Sequence, residues 1–398
     1  MPTASINNVM NAQPNAPIQP QQANSNQASS PTGMVPFGRS AKKQLKLGGS
    51  VSVAPASWFG GATVPIDVPT DGYMAGVEIT VNATGGVNGA KTVAVGPDSP
   101  WNLIATAQLT DVNGTPILTL DGYAMYLQML YGASFRSPRP DQSTYGFNAV
   151  SVGGSGTGNF LIKYFFPFEF GTDGLGCLPN MDASAKYKII LTLRDPTVFY
   201  TLAAGEPGTL PTLNFIPTLF SRTRPPGVNR ANKRQATQPP ALGTVQYWNS
   251  QIATVTAGDN TIQLKRTGNL IRNHVLVFRD ASGVRSTADS TGVTPPSIQF
   301  KYDAGVKYIA RTDTFRQLAF QTYNFDAPAG VVPFSYITDP DGLPGHEYGD
   351  EWVATTGSTL LELDFTSSAP GTLQILTNDI VAPSPDIYSA AAMDIVGQ

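Results

Sequence analysis

Charge is scarce in this 398-residue chain. Asp, Glu, Lys and Arg make up 13% of it, about half the roughly 25% of an ordinary soluble domain. The 28 acids and 25 bases leave a formal charge of −3, so the basic excess of a general nucleic-acid binder is missing. A lone soluble protein keeps its copies apart with surface charge. A chain this poor in charge points instead to flanks covered by other copies. There is one cysteine, Cys177, which excludes an internal disulfide, and with two histidines a Cys/His zinc site is excluded as well. Long apolar runs are absent too. The most apolar stretch, Phe160 to Phe170, is broken by Lys163, Pro167 and Glu169, far short of the ~18 residues that a spanning helix needs. The opening residues carry neither the basic start nor the apolar run of a secretory signal. The chain is therefore expected to be soluble and made in the cytosol.

What is present is glycine, proline and short β patterns. Residues 1–38 hold no charged residue and few aliphatics, a composition that cannot offset the entropy of ordering. Residues 1–48 are expected to form a mobile arm ending in the basic patch Arg39, Lys42, Lys43 and Lys46. Beyond it, period-2 alternation dominates. Val77, Ile79 and Val81 face opposite Glu78, Thr80 and Asn82. Ile189, Leu191 and Leu193 face opposite Lys188, Thr192 and Arg194. Ile298 and Phe300 oppose Gln299 and Lys301, and Leu361, Leu363 and Phe365 oppose Glu362 and Asp364. Asp111–Gly114 and Asp280–Gly283 read as turns, because Asp folds back on its own backbone and Gly accepts positive φ. Helical spacing is confined to Tyr123–Tyr131 and Asp313–Asn324, where Asp313 is expected to cap.

Between Ser221 and Pro240 lie four prolines, Arg222, Arg224, Arg230, Lys233 and Arg234, and no acid. This predicts a basic linker over 221–243, dividing a first β unit (49–220) from a second (244–382), with a tail at 383–398. The halves echo each other in order. Trp101–Ile104 matches Gly268–Ile271, each half then has one helix, and each ends on two apolar strands. That order predicts a duplication in an all-β protein with a few short helices.

The chemistry-bearing residues are few. Asp339, Asp341, His346, Glu347, Asp350 and Glu351 form the densest acidic stretch. Its spacing fits neither an EF-hand nor a zincin, and its prolines and glycines read as a solvated loop. A glycosidase built on these carboxylates is the enzyme alternative. His274 shares a face with Leu276 and Phe278 and reads as a core histidine. Cys177 reads as a small buried hydrophobe. The run Gly85–Thr92 lacks the glycine that a phosphate loop needs before its lysine. The two basic segments hold nine of the 25 cations and abut the ends of the first unit. They predict a cationic face toward an anionic surface.

Two tandem β units with one helix each, carrying Trp101–Ile104, the Asp111–Gly114 turn, Tyr123–Tyr131, Phe160–Phe170, Leu178–Asn180, Tyr187–Leu193, Val245–Asn249 and Thr359–Thr366, resemble a known family. The chain looks like the major capsid proteins of tailless, membrane-containing double-stranded DNA phages of the tectivirus type. The resemblance implies two tandem eight-stranded jelly rolls, and a homotrimer of pseudo-hexagonal outline that tiles an icosahedral shell over an internal membrane. It implies a virion component assembled in the host cytoplasm. It implies no enzyme activity, no cofactor and no specific nucleic-acid recognition. The implied partners are other copies, vertex and minor capsid proteins, and membrane lipid headgroups. The arm departs from the family by lacking a basic amphipathic helix, which leaves Arg39–Lys46 nearest the lipid. The non-enzyme alternative, an extracellular adhesin or carbohydrate-binding sandwich, calls for a secretory signal or fibre-like repeat that the sequence lacks.

Overall fold

The computed structural model describes residues 34–58, 61–88, 93–132, 158–171, 173–200, 208–241, 243–286, 292–303, 305–336, 352–355, 357 and 359–381. The whole acidic stretch 339–351, most of the arm and the tail lie outside them. The strands are β1 (Lys43–Leu47), β2 (Val51–Val53), β3 (Thr63–Asp67), β4 (Tyr73–Thr84), β5 (Ile104–Thr110), β6 (Pro116–Leu120), β7 (Phe160–Pro167), β8 (Leu178–Pro179), β9 (Lys188–Leu193) and β10 (Thr212–Arg222) in the first half. The second half has β11 (Gln246–Val255), β12 (Gly258–Gln263), β13 (Leu270–Asp280), β14 (Ser297–Tyr302), β15 (Gly305–Arg311), β16 (Val331–Ser335), β17 (Val353–Ala354), β18 (Leu361–Ser367) and β19 (Gly371–Ile380). The α-helices are α1 (Phe37–Ser40), α2 (Pro55–Trp58), α3 (Gly122–Tyr131), α4 (Pro196–Phe199) and α5 (Thr312–Tyr323).

Both halves are sandwiches of two antiparallel sheets, and their strand orders coincide. The first half has β1-β10-β4-β7 facing β3-β9-β5-β6; the second has β11-β19-β13-β16 facing β12-β18-β14-β15. This eight-position, two-sheet order is a jelly roll. The minor strands repeat as well: β8 pairs the start of β4 at Tyr73 and Met74, and β17 pairs the start of β13 at Leu270 and Ile271. Helices α3 and α5 occupy the same connection in each roll.

The duplication is real in topology, but the sequence matches above are out of step by one strand. Trp101–Ile104 leads into β5, whereas Gly268–Ile271 opens β13, the counterpart of β4. The two asparagines accordingly do different things. Asn102 donates to the Val198 carbonyl at 3.3 Å, and Asn269 donates to the Asp379 carboxylate. Likewise Phe160–Phe166 is β7, and Leu361–Phe365 is β18, the counterpart of β9.

Alternation fixes the inner faces. Val77, Ile79 and Val81 in β4 are fully buried, as are Ile189, Leu191 and Leu193 in β9 and Ile298 and Phe300 in β14. The turns follow the Asp–Gly chemistry. Asp111 Oδ1 accepts from the Asn113 and Thr115 N–H groups at 2.9 and 2.7 Å, and Asp280 Oδ1 accepts from Ser282 and Val284 at 2.9 and 3.0 Å. Helix α5 is not capped by Asp313. Its N-cap is Arg311, with no side-chain capping bond, and Asp313 lies in the first turn. Helix α3 is capped by Asp121, whose Oδ1 accepts from Ala124 N–H at 2.8 Å. Strand boundaries also differ from the sequence pattern. β1 lies inside the segment read as arm, because it pairs with β10 along its whole length, and β10 runs on through Ser221 and Arg222.

Candidate functional site

Two features of the described surface bear on function: a basic end of the first roll, and the seam between the rolls. The basic end is built by backbone pairing. Lys43 faces Arg222 across the β1–β10 ladder. One step further, Thr223 N–H donates to Lys42 O and Lys42 N–H to Thr223 Oγ1, both at 2.9 Å. Val35 N–H donates to Arg234 O at 2.8 Å, and Ala236 N–H returns to Val35 O at 2.9 Å. Phe37 anchors this junction edge-on to Tyr73, with ring centroids 5.3 Å apart, and the Tyr73 hydroxyl donates to Thr237 O at 3.1 Å. The two basic segments, far apart in sequence, are thus laced together.

Arg39, Lys42, Lys43, Lys46, Arg224, Arg230, Lys233 and Arg234 are exposed on this end. Arg222 is not an outward contact. It is 2% exposed, and its Nε donates to Glu169 Oε1 at 2.7 Å, with Nη2 reaching the same oxygen. Its place at the last ladder position of β10, one residue after a register shift, turns it inward onto Glu169.

The seam is centred on α3. All ten of its residues are buried, because it lies between the first roll and the outer face of the β11-β19-β13-β16 sheet. Val275, Val277 and Leu376 on that face belong to the same apolar cluster as α3. Tyr131 meets Tyr323 of α5 edge-on at 5.3 Å, and its carbonyl accepts from Asn273 Nδ2 at 3.0 Å. Gly122 is required at the helix start, since a Cβ there would sit 2.1 Å from the Trp101 carbonyl oxygen. Beside this packing is an ion cluster. Asp98 receives both Arg279 and Arg285 of the second roll, and both guanidinium groups lie over the Tyr123 ring, at 5.4 and 5.0 Å. Burial pushes the Tyr123 phenol well above its usual pKa, despite the neighbouring guanidiniums.

Two further sequence candidates, His274 and Cys177, are core residues. His274 is 1% exposed, faces Phe300 and Tyr336, and is held by Thr377 Oγ1 at 3.0 Å from Nδ1. Burial lowers its pKa to about 3. Cys177 is buried, and desolvation raises its thiol above the reactive range. Among the described residues no cluster of His, Cys, Asp or Glu is arranged to hold a metal.

Sequence patterning missed Asp98, Arg279 and Arg285, whose partners lie more than 180 positions apart. It also missed Asp121, which was legible as a cap immediately before an apolar helical run.

Neither a protein-family model nor a curated protein matches this sequence. Solved structures do match. The atomic structure of Sulfolobus Turreted Icosahedral Virus aligns over 89% of this chain and 97% of its own, with a TM-score of 0.62 at 12% identity. The PBCV-1 virus capsid aligns over 86% and 95%, at 0.56 and 13%. The major capsid protein P2 of Bacteriophage PM2 aligns over 87% and 99%, at 0.51 and 10%.

The fold is that of the double jelly-roll major capsid proteins. Near-full coverage of both chains means that the pair of rolls is matched as a unit. The double jelly-roll likeness reaches beyond phage proteins, so the fold does not single out the phage branch that the sequence resembles.

Proposed function

We propose that this chain is a structural major capsid protein without catalytic activity. Three copies form a pseudo-hexagonal trimer, and trimers tile an icosahedral shell over an internal membrane, assembling in the host cytoplasm. The observation that carries this reading is the pair of rolls with one strand order, fused through a buried seam. A subunit that presents two equivalent building blocks in fixed relation makes a near-sixfold tile from three copies. The low charge content supports the same reading, since like-charged flanks would repel at close packing.

The roles of the surfaces follow. The basic end, with Arg39, Lys42, Lys43, Lys46, Arg224, Arg230, Lys233 and Arg234, faces anionic lipid headgroups on the inner side. Arg222 serves the fold through Glu169. Partners beyond further copies are vertex and minor capsid proteins, and no base-reading element or cofactor enters the account. Light scattering of the purified full chain tests the reading. The expected mass is that of three chains, and a single-chain mass at micromolar concentration overturns it.

A further inference from the structure

The ion cluster at the seam holds more donors than acceptors. Arg279 and Arg285 stand opposite each other in an antiparallel bridge at the Asp280–Gly283 turn. Residues directly opposite in such a pair project to the same face, so the two guanidinium groups leave one hairpin side by side. Among the described residues Asp98 is the one carboxylate that either of them reaches, which leaves one positive charge over. The adjacent Asp280 is turned to the backbone, where Oδ1 accepts from the Ser282 and Val284 N–H groups.

A guanidinium presents a planar fork of N–H donors and no acceptor. Arg279 commits Nη1, to Asp98 Oδ2 and to the Gly283 carbonyl at 3.3 Å. Arg285 commits Nε to Asp98 Oδ1, and Nη1 to the Ala329 carbonyl at 2.8 Å. Arg279 Nε and Nη2 and Arg285 Nη2 have no acceptor among the described residues. Two hydroxyls add to the surplus. Tyr123 Oη and Ser99 Oγ are buried without a hydrogen-bond partner. The Tyr123 ring lies under both guanidinium groups, and Ser99 follows Asp98 in the chain. Buried donors without acceptors are costly, and donors beside an unbalanced guanidinium charge are met best by an anion. The two arginine side chains keep 16% and 25% of their surface in solvent. That opening admits a small ion and is too narrow for a bilayer or a duplex to lie on.

We infer that Arg279 and Arg285 form a binding site for a small oxyanion, phosphate or a phosphate monoester, at the seam between the rolls. Its oxygens accept from the uncommitted guanidinium N–H groups and from the Tyr123 and Ser99 hydroxyls. These donors lie in two guanidinium forks and two hydroxyls, a spread that suits a tetrahedral anion better than a planar one. Asp98, Ser99 and Tyr123 belong to the first roll and the arginines to the second, so the anion joins the two rolls. It binds the folded chain alone and stabilises it by mass action. The site stands whether or not the chain forms the trimer proposed above.

The test is equilibrium dialysis of the full chain against radiolabelled inorganic phosphate, at neutral pH and constant ionic strength in sodium chloride. The parent is expected to bind one phosphate per chain, with half-saturation at about 1 mM. Arg279→Lys and Arg285→Lys keep the charge and lose the fork, and each should weaken binding by roughly ten-fold or more. Tyr123→Phe removes the hydroxyl alone and should weaken binding in a chain whose near-UV circular dichroism matches the parent. A variant at the basic end, Arg230→Gln with Lys233→Gln, should bind as the parent does. Displacement of the bound phosphate by adenosine monophosphate would support a site open to phosphate monoesters, and phosphate binding without displacement would support one confined to the free ion. No saturable binding by the parent overturns the inference, because water then serves these donors. Parent-like binding by both Arg285→Lys and Tyr123→Phe overturns it too, as does binding that is lost with the basic-end cations.

Discussion

Among the described residues Asp98 is the only acid in the ion cluster that ties the rolls together, and replacing it with alanine tests whether the seam is held as described. The substitution leaves two guanidinium groups at the seam, both over Tyr123, without their carboxylate. Removing one partner from a buried pair costs about 3–5 kcal/mol. Asp98 is 8% exposed, but Arg279 and Arg285 keep 16% and 25% of their side-chain surface in solvent. Partial hydration brings the expected loss to about 2–4 kcal/mol. The assay is urea unfolding at one fixed protein concentration, since association adds to apparent stability. Parent, Asp98→Ala, Arg285→Ala and the double variant form a cycle, with an expected coupling of about 1–3 kcal/mol. A loss under about 0.5 kcal/mol for Asp98→Ala, the range of an ordinary surface change, refutes the clamp. So does a cycle that closes with no coupling.

Four further outcomes follow from the same geometry. His274 is held neutral, with its pKa lowered to about 3 by burial, so the unfolded chain takes up a proton first as pH falls below about 6.5. Stability from this site is complete above that pH and is lost toward pH 3. Between pH 7.5 and 5 the parent should lose about 2 kcal/mol more than His274→Gln, at 1.36 kcal/mol per unit; parallel pH profiles in urea unfolding would contradict this. Gly122→Ala drives a Cβ into the Trp101 carbonyl and should cost about 1–3 kcal/mol, read as a lower thermal midpoint; an unchanged midpoint means that the helix start is less tightly seated. Neutralising Arg224, Arg230, Lys233 and Arg234 to Gln should leave the assembled mass intact while weakening co-sedimentation with anionic liposomes. Unchanged binding at low salt sinks the lipid assignment, and Arg222→Gln should instead lower stability, through the loss of its pairing with Glu169.

The strands that were legible in sequence are those with one wet and one dry face. Val77, Ile79 and Val81 alternate with polar residues because β4 lines a core on one side only. β1 was illegible for the opposite reason. Lys43–Leu47 buries no residue, so its pattern carries no core signal and reads as part of a polar arm. Helix α3 was visible as a compact apolar run, yet its seat between the rolls was not, because a helix buried all round looks the same wherever its cover comes from. The duplication was visible as an order of elements and misplaced in its residue matches. Strand order survives divergence, whereas a three-residue likeness such as Asn102 and Asn269 arises on unrelated strands. For the basic segments, composition showed the charge, and only backbone pairing separated Arg222 from its neighbours.

The central claim is that the two rolls of each copy act as two of six lobes in a three-copy tile. Negative-stain imaging of the purified full chain tests it most directly. The account predicts class averages with a six-lobed, near-hexagonal outline. Averages showing isolated two-lobed particles, at a concentration where the chain remains folded, would contradict it.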